Sequence, residues 1–327
     1  MLDLHPKHPI IITGHGYYLP PKIETSKELS KKINKSEDWI VSRTGVLERR
    51  ISEIDVDKMG AIAAQKAIGE KSAPDLIINA SGVPKQTIPD TSIFIQKELG
   101  YKDIPSFSIH ATCLSFIVAL NVASSLISSN SYNKILIVSS DRGTRGRNFN
   151  EPESAALLGD AAGAIYIEKS NDLSSGIINY NMQTYPDGAS LTEVRGGGTN
   201  LHPQDSKTLN EDNLFSMNGP KVYKMARKKV YDMIANDLSI NNLNQNDIRL
   251  VVPHQASGMA VKAYSKYGGF DKEKVVDIIS TTGNCVAASL PLGLAISLEK
   301  NILNKDDYVY LIGTGAGLSI ASILIKI

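Results

Sequence analysis

The sequence predicts a layered α/β protein made of two similar halves, and three observations point that way. Segments whose apolar residues have helical spacing alternate with short, continuously apolar runs of strand length, the pattern of a sheet covered by helices. A unit of apolar strand, glycine-rich turn and second strand occurs twice, as KILIVSSDRG with LGDAAGAIYIEK and again as DYVYLIGTGAGLSIASILIKI. The 327 residues, 42% hydrophobic and 21% charged, suffice for one large core or two medium ones.

In chain order, HPIIITGHGYYLPP predicts an opening strand that turns at Gly14 and Gly16, followed by a charged amphipathic helix. SEDWIVSRTGVLERR carries the only tryptophan, Trp39, near Arg43, Arg49 and Arg50. Flat aromatic and guanidinium groups suit a nucleotide's base and phosphates, although packing and surface charge use the same residues. VDKMGAIAAQKAIGE then reads as a helix, PDLIINASG as a buried strand and DTSIFIQKELG as a helix.

Residues 106–111 read as a strand that runs into Cys113, and Leu114, Ile117, Val118, Val122 and Leu126 have the spacing of a buried helix that Cys113 opens. The second half repeats the order. KVYKMARKKVYDMIANDL predicts a helix, IRLVVPHQAS a strand, GMAVKAYSKYGG a helix, and another helix follows GNCVAAS before the last strands. The halves divide near 170–175, giving 1–172 and 173–327 with the site between them. The polar, glycine-rich stretch 185–213 reads as a long excursion.

Lys plus Arg number 35 against 34 for Asp plus Glu, so the net charge of +1 gives no polyelectrolyte reason to expect nucleic acid or an anionic membrane as partner. Cys113 and Cys285 are the only cysteines, too few for a secreted disulfide scaffold. The start, MLDLHPKHPIIITGHG, lacks the basic segment, apolar core and cleavage site of an export signal, and no apolar run reaches membrane-spanning length. A reducing, cytoplasmic location is therefore expected. The histidines are scattered without ligand spacing, and no metal site is expected.

A thiol at a helix N-terminus faces unpaired amides and the positive end of the macrodipole, which lower its pKa and favour a nucleophilic thiolate. A lone intracellular cysteine is also often a small buried hydrophobe, so Cys113 needs partners. Two polar clusters each follow a buried strand and open a helix: VVPHQAS around His254 and STTGNCVAAS around Asn284. Singly, a His after Pro and an Asn after Gly have ordinary structural readings. Together the three residues occupy strand-to-helix junctions that gather on one sheet edge.

In order along the chain, EDWIVSRTGV, ATCLSF, GDAAGA, MNGPKVYKMA, PHQAS, GNCVAASLPLG and GTGAGLS make nearly the whole sequence resemble the ketoacyl-acyl-carrier-protein synthase III enzymes. The resemblance implies a thiolase-like fold, two pseudo-repeated halves in an α-β-α-β-α layering, and a homodimer. It implies Cys113 as the acyl-accepting nucleophile and His254 and Asn284 as the pair that promotes decarboxylation of a malonyl thioester. Backbone amides of Cys113 and Ala316 would form the oxyanion hole. Trp39 and Arg43 would meet the adenine and phosphate of coenzyme A, while Gly219, Tyr223, Ala256 and Ser257 would line the pantetheine tunnel. Ile88 falls where the partner subunit closes the acyl pocket, and Lys224 and Lys266 where acyl carrier protein docks. Acyl-CoA and malonyl thioesters are then substrates, with no tightly bound cofactor.

This chain departs from the family wording at several points. It has Thr112-Cys113-Leu114-Ser115-Phe116 where the family commonly reads Ala-Cys-x-Gly-Phe, Ser257 for an asparagine, and Met259 for a basic residue. The arginine that helps sandwich adenine in relatives is replaced around Pro152. The excursion within 185–213 suggests a specialised acyl pocket. The leading expectation is decarboxylative condensation; the alternative is acyl transfer to an alcohol or amine with His254 as general base and no carbon–carbon bond formed. Thiolases use a second catalytic cysteine, but Cys285 reads as packing.

Overall fold

A computed structural model of the chain describes residues 7–327; residues 1–6, part of the stretch read above for an export signal, lie outside the described residues. The strands in chain order are β1 (His8–Tyr18), β2 (Lys22–Thr25), β3 (Glu48–Ile51), β4 (Leu76–Asn79), β5 (Ser106–Ser108), β6 (Lys134–Arg142), β7 (Asp160–Lys169), β8 (Gly176–Thr184), β9 (Thr192–Glu193), β10 (Ser216–Met217), β11 (Ile248–Pro253), β12 (Tyr308–Gly315) and β13 (Ser319–Lys326). Nine of these, among the described residues, form one sheet in the order β11-β12-β13-β8-β1-β7-β6-β4-β5.

The order contains a repeat. On one side, β4 runs parallel to β5 and β6, and antiparallel pairs continue from β6 through β7 to β1. On the other, β11 runs parallel to β12, bridges in parallel to Val275, and antiparallel pairs continue from β12 through β13 to β8. A short β1–β8 ladder, His8 with Ile177 and Pro9 with Gly176, joins the two.

The sheet wraps around two helices, Ser115–Ser128 and Ser289–Glu299. Phe116, Leu120, Ala123 and Ile127 from the first and Leu290, Leu294 and Ala295 from the second share a fully buried core with strands of both sides. Both helices are apolar on nearly every face because both are covered on nearly every face. Outside, the Val56–Ile68 helix packs Met59, Ala63, Ala64 and Ala67 on β4, β6 and β7. The Gly219–Ile240 and Gly258–Gly268 helices cover β11, β12 and β13 with Val230, Ile234, Val261 and Tyr264. The result is the five-layer thiolase-like arrangement.

The sequence reading needs three corrections. β1 does not turn at Gly14 and Gly16 but runs through both, with a register shift between Ile12 and Gly14. A Cβ on Gly16 would stand 2.3 Å from the Ala63 carbonyl oxygen, and one on Gly14 1.9 Å from that of Ala67, so these glycines let the outer helix approach the strand. The helix after Cys113 begins at Ser115, and β5 is only three residues long. Finally β8, GIINYNMQT, escaped the reading because its exposed end alternates polar residues without a strong apolar pattern.

Candidate active site

Cys113 occupies the tight connection between β5 and the Ser115–Ser128 helix. Thr112 holds a left-handed backbone (φ 52°), unusual for a β-branched residue, and Ala111 and Cys113 form a local bridge. Ser115 fastens the turn: its Oγ accepts the Ala111 N–H at 3.0 Å and donates to the carbonyls of Thr112 at 2.7 Å and Ser81 at 3.3 Å. Burial pushes the Cys113 thiol up to about 12, with the negative charge of Asp141 adding to it. This reverses the lowered pKa expected from the helix N-terminus. Cys113 is partly exposed as a residue, and loss of water around its sulfur is set against the dipole of a helix that starts after it.

His254 follows β11 with its own N–H donated to Ile312 of β12 at 2.8 Å. Its ring is 3% exposed, Nδ1 is buried without a hydrogen-bond partner, and burial pulls the imidazole down to about 4. It is therefore neutral at ordinary pH. The glycine-rich end of β12 lies between His254 and the nucleophile's turn. A Cβ on Gly313 would be 2.7 Å from His254 Cβ and 3.1 Å from Leu114, and one on Gly315 would be 2.6 Å from Thr112 Oγ1. Side chains here would force the histidine and the cysteine turn apart.

Asn284 is pinned by backbone bonds on both sides, its N–H to Leu157 at 2.8 Å and its carbonyl to the Gly159 N–H at 2.9 Å. Its Oδ1 accepts the Val286 N–H at 2.9 Å, and Nδ2 donates to the Ala256 carbonyl at 3.4 Å. One amide hydrogen remains for a ligand. Neighbouring Cys285 is 1% exposed, packs with Ala161, Ala288 and Leu292, and sets its sulfur 3.5 Å from the Thr282 carbonyl. Burial drives its thiol well above the usual range.

A cavity of about 440 Å³ leads to this group, and Arg43, Gly219, Tyr223, Ala256 and Ser257 from the sequence reading all line it, together with His254. Asn284 meets its wall through Ala256, and Thr314 in the wall lies between the two glycines that touch the Cys113 turn. Ser257 also caps the Gly258–Gly268 helix, accepting the Ala260 N–H at 3.2 Å. Ala316 sits partly exposed in the turn after Gly315. Trp39 shares a helix with Arg43 but packs beside Leu29, Ile33 and Ile40 and is not part of the wall, while the Lys35 ammonium stands 5.4 Å from its ring centre. Lys224 and Lys266 are exposed on the two helices that flank the cavity, and Ile88 is 81% exposed.

Arg49 of the Trp39 segment departs from the nucleotide-binding expectation. Arg49 is fully buried, donates to Ser26 Oγ at 2.9 Å and to the Ala156 and Glu24 carbonyls at 3.2 Å, and burial pulls it down to about 10. Its Cβ backs the glycine before Asn284, 3.3 Å from where a Gly283 Cβ would stand. Sequence patterns missed Glu153, Met217, Tyr231, Tyr264 and Thr314 on the cavity wall. Glu153 follows the Pro152 noted above; Met217 lies just after the 185–213 excursion, in β10, which pairs with β9 inside it, and Arg195–Asp212 ties the excursion within itself.

Residues 107–186 match the family of 3-oxoacyl-[acyl-carrier-protein (ACP)] synthase III, and residues 238–327 match the C-terminal part of that family. The chain is 32% identical over 323 residues to a beta-ketoacyl-[acyl-carrier-protein] synthase III of Rickettsia bellii, covering 96% of this chain and 98% of that one. Among solved structures, the 3-oxoacyl-[acyl-carrier-protein] synthase III of Aquifex aeolicus superposes with a TM-score of 0.88 at 28% identity, over 97% of this chain and 100% of the other. The priming beta-ketosynthase of the R1128 polyketide biosynthetic pathway gives 0.88 at 25% identity, over 99% and 98%.

Proposed function

The chain belongs to the beta-ketoacyl-[acyl-carrier-protein] synthase III family, and from that premise we propose how its own residues carry the reaction. It is an acyltransferase that forms a 3-oxoacyl thioester, in fatty-acid or polyketide-like biosynthesis. The Cys113 sulfur attacks the donor thioester carbonyl, and the departing thiol takes up the proton, leaving an acyl thioester on Cys113. A malonyl thioester then enters the cavity. His254 and Asn284 donate hydrogen bonds to its carbonyl oxygen as carbon dioxide leaves and an enolate forms. The enolate carbon attacks the Cys113 thioester, the amides of Cys113 and Ala316 hold the resulting oxyanion, and collapse breaks the carbon–sulfur bond, releasing the product and a Cys113 thiolate that takes a proton from water to restore the thiol.

One observation supports this reading: the neutral, buried His254 imidazole packs across Gly313 from Leu114, the residue after Cys113, and a carboxamide with a spare hydrogen, that of Asn284, bonds the Ala256 carbonyl two residues beyond the histidine. Such a pair suits a developing oxyanion better than it suits proton abstraction from an alcohol, because a histidine held at about 4 is a weak base. Arg43 and Trp39 receive the nucleotide end of coenzyme A, and Gly219, Tyr223, Ala256 and Ser257 the pantetheine arm. Exposed Lys224 and Lys266 meet an acidic acyl carrier protein. Two halves, 1–172 and 173–327, come together in a homodimeric cytoplasmic enzyme with no tightly bound cofactor. The repeated strand order supports the halves, and no helix of the described residues is long and apolar enough to cross a membrane.

The test is intact-mass measurement after mixing with a panel of acyl-CoA and acyl-carrier-protein thioesters, beside Cys113→Ala. A single acyl adduct absent from the variant, followed by labelled carbon dioxide and a 3-oxoacyl product on adding malonyl thioester, is the expected result. An adduct that passes to an alcohol or amine without carbon dioxide would replace condensation by simple acyl transfer.

A further inference from the structure

Asp141 has no part in the steps above, yet it is a fully buried carboxylate at the end of β6. Its partners are backbone N–H groups from both sides of the molecule. Oδ1 accepts Gly82 and Val83 at 2.9 Å each, while Oδ2 accepts Gly82 at 3.2 Å and Ala288 at 3.1 Å. No lysine, arginine or histidine pairs with it among the described residues.

Each partner leads to a reacting group. Gly82 and Val83 follow Ser81, whose carbonyl accepts the Ser115 Oγ that fastens the Cys113 turn. Ala288 closes the short segment that begins at Asn284 and passes through Val286, which holds a left-handed backbone (φ 52°) while its N–H grips Asn284 Oδ1. The two segments also touch directly, since a Cβ on Gly82 would stand 2.5 Å from Val286 Cγ1. Left-handed geometry at a β-branched residue persists only where its surroundings hold it.

Resting on the condensation reading, we propose that Asp141 is a positioning residue that clamps the Asn284 segment to the Cys113 turn and so sets the gap across which the enolate meets the acyl thioester. Two carboxylate oxygens are needed because each side of the clamp requires its own acceptor. Asparagine supplies one, and its amide would face an N–H. The same carboxylate lies close enough for its charge to raise the Cys113 thiol, with burial pushing the carboxyl itself up to about 7.

These relations give a test with opposite signs. In Asp141→Asn, condensation with malonyl thioester is expected to fall about 100-fold, the effect of roughly 1 Å of misplacement. Alkylation of Cys113 by iodoacetamide at pH 8 should rise by about threefold or more as the nearby charge disappears. A variant that loses condensation and alkylation in parallel would assign Asp141 a purely structural role and overturn the proposal, as would unchanged condensation. If Asp141→Asn does not fold, Gly82→Ala decides: it drives Val286 away while leaving the carboxylate, so condensation should fall with alkylation at the wild-type rate, and wild-type condensation would overturn the clamp. A wild-type protein that condenses nothing while Asp141→Asn still speeds alkylation would remove the proposed reaction and keep the coupling.

Discussion

At Cys113 two effects oppose each other within a few ångströms. The N-terminal amides of the Ser115–Ser128 helix favour a thiolate, whereas loss of water around the sulfur and the Asp141 charge favour the thiol, and these push it up to about 12. Below its pKa the thiolate fraction grows tenfold per pH unit, so the rate of alkylation of Cys113 by iodoacetamide should climb about tenfold per unit from pH 8 to 10 with no plateau. A plateau near pH 7 would mean that the helix end wins. Cys285 should stay unmodified under the same conditions, because it is 1% exposed, and Cys285→Ala should retain most of the activity. His254 obeys the same physics with the opposite charge: burial removes its cationic form, which keeps it a neutral donor throughout that pH range.

Among the elements, β1 and the Val56–Ile68 helix show how small residues set a packing distance. Gly14 and Gly16 face Ala63 and Ala67, and the helix backbone sits where a side chain would be. Gly16→Ala places a Cβ 2.3 Å from the Ala63 carbonyl oxygen and 2.6 Å from Lys66 Cβ, contacts that neither backbone can avoid cheaply. Overpacking of this kind should destabilise the protein by about 3 kcal/mol, read as a shifted urea midpoint with unchanged slope. This helix covers the face of the sheet opposite the central helices, so the folded variant should still acylate Cys113 at the wild-type rate. Wild-type stability would show that the helix can move outward freely.

For the whole molecule, the unfinished part of the surface lies in and around 83–107. Val83, Ile88, Ile93 and Phe107 expose apolar side chains, Ile88 to 81%, and β5 is an open sheet edge. The proposed homodimer, in which Ile88 of one subunit closes the acyl pocket of the other, would cover apolar surface of this kind. Light scattering should give the mass of two chains, and Ile88→Asp should change the range of acyl chains accepted while leaving iodoacetamide access to Cys113 unaltered. A monomer in solution, or an unaltered chain-length profile, would remove Ile88 from the pocket.

The α/β class, the repeated strand–turn–strand unit and the family were legible in the residues alone, and so was the proposal of Cys113, His254 and Asn284 as the reacting set, because apolar periodicity and short ordered motifs are local properties of the chain. It placed most helices within a few residues, as with DTSIFIQKELG against Thr91–Leu99. The folded chain was needed to see that Gly14 and Gly16 pass straight through a strand, that Arg49 is buried behind Gly283, and that Glu153 and Met217 face the cavity. It also decided the protonation of the site. A thiol near 12, an imidazole near 4 and a carboxyl near 7 follow from how much water each group loses, and that depends on segments far apart in sequence, such as 82–83, 141 and 284–288, meeting at one place.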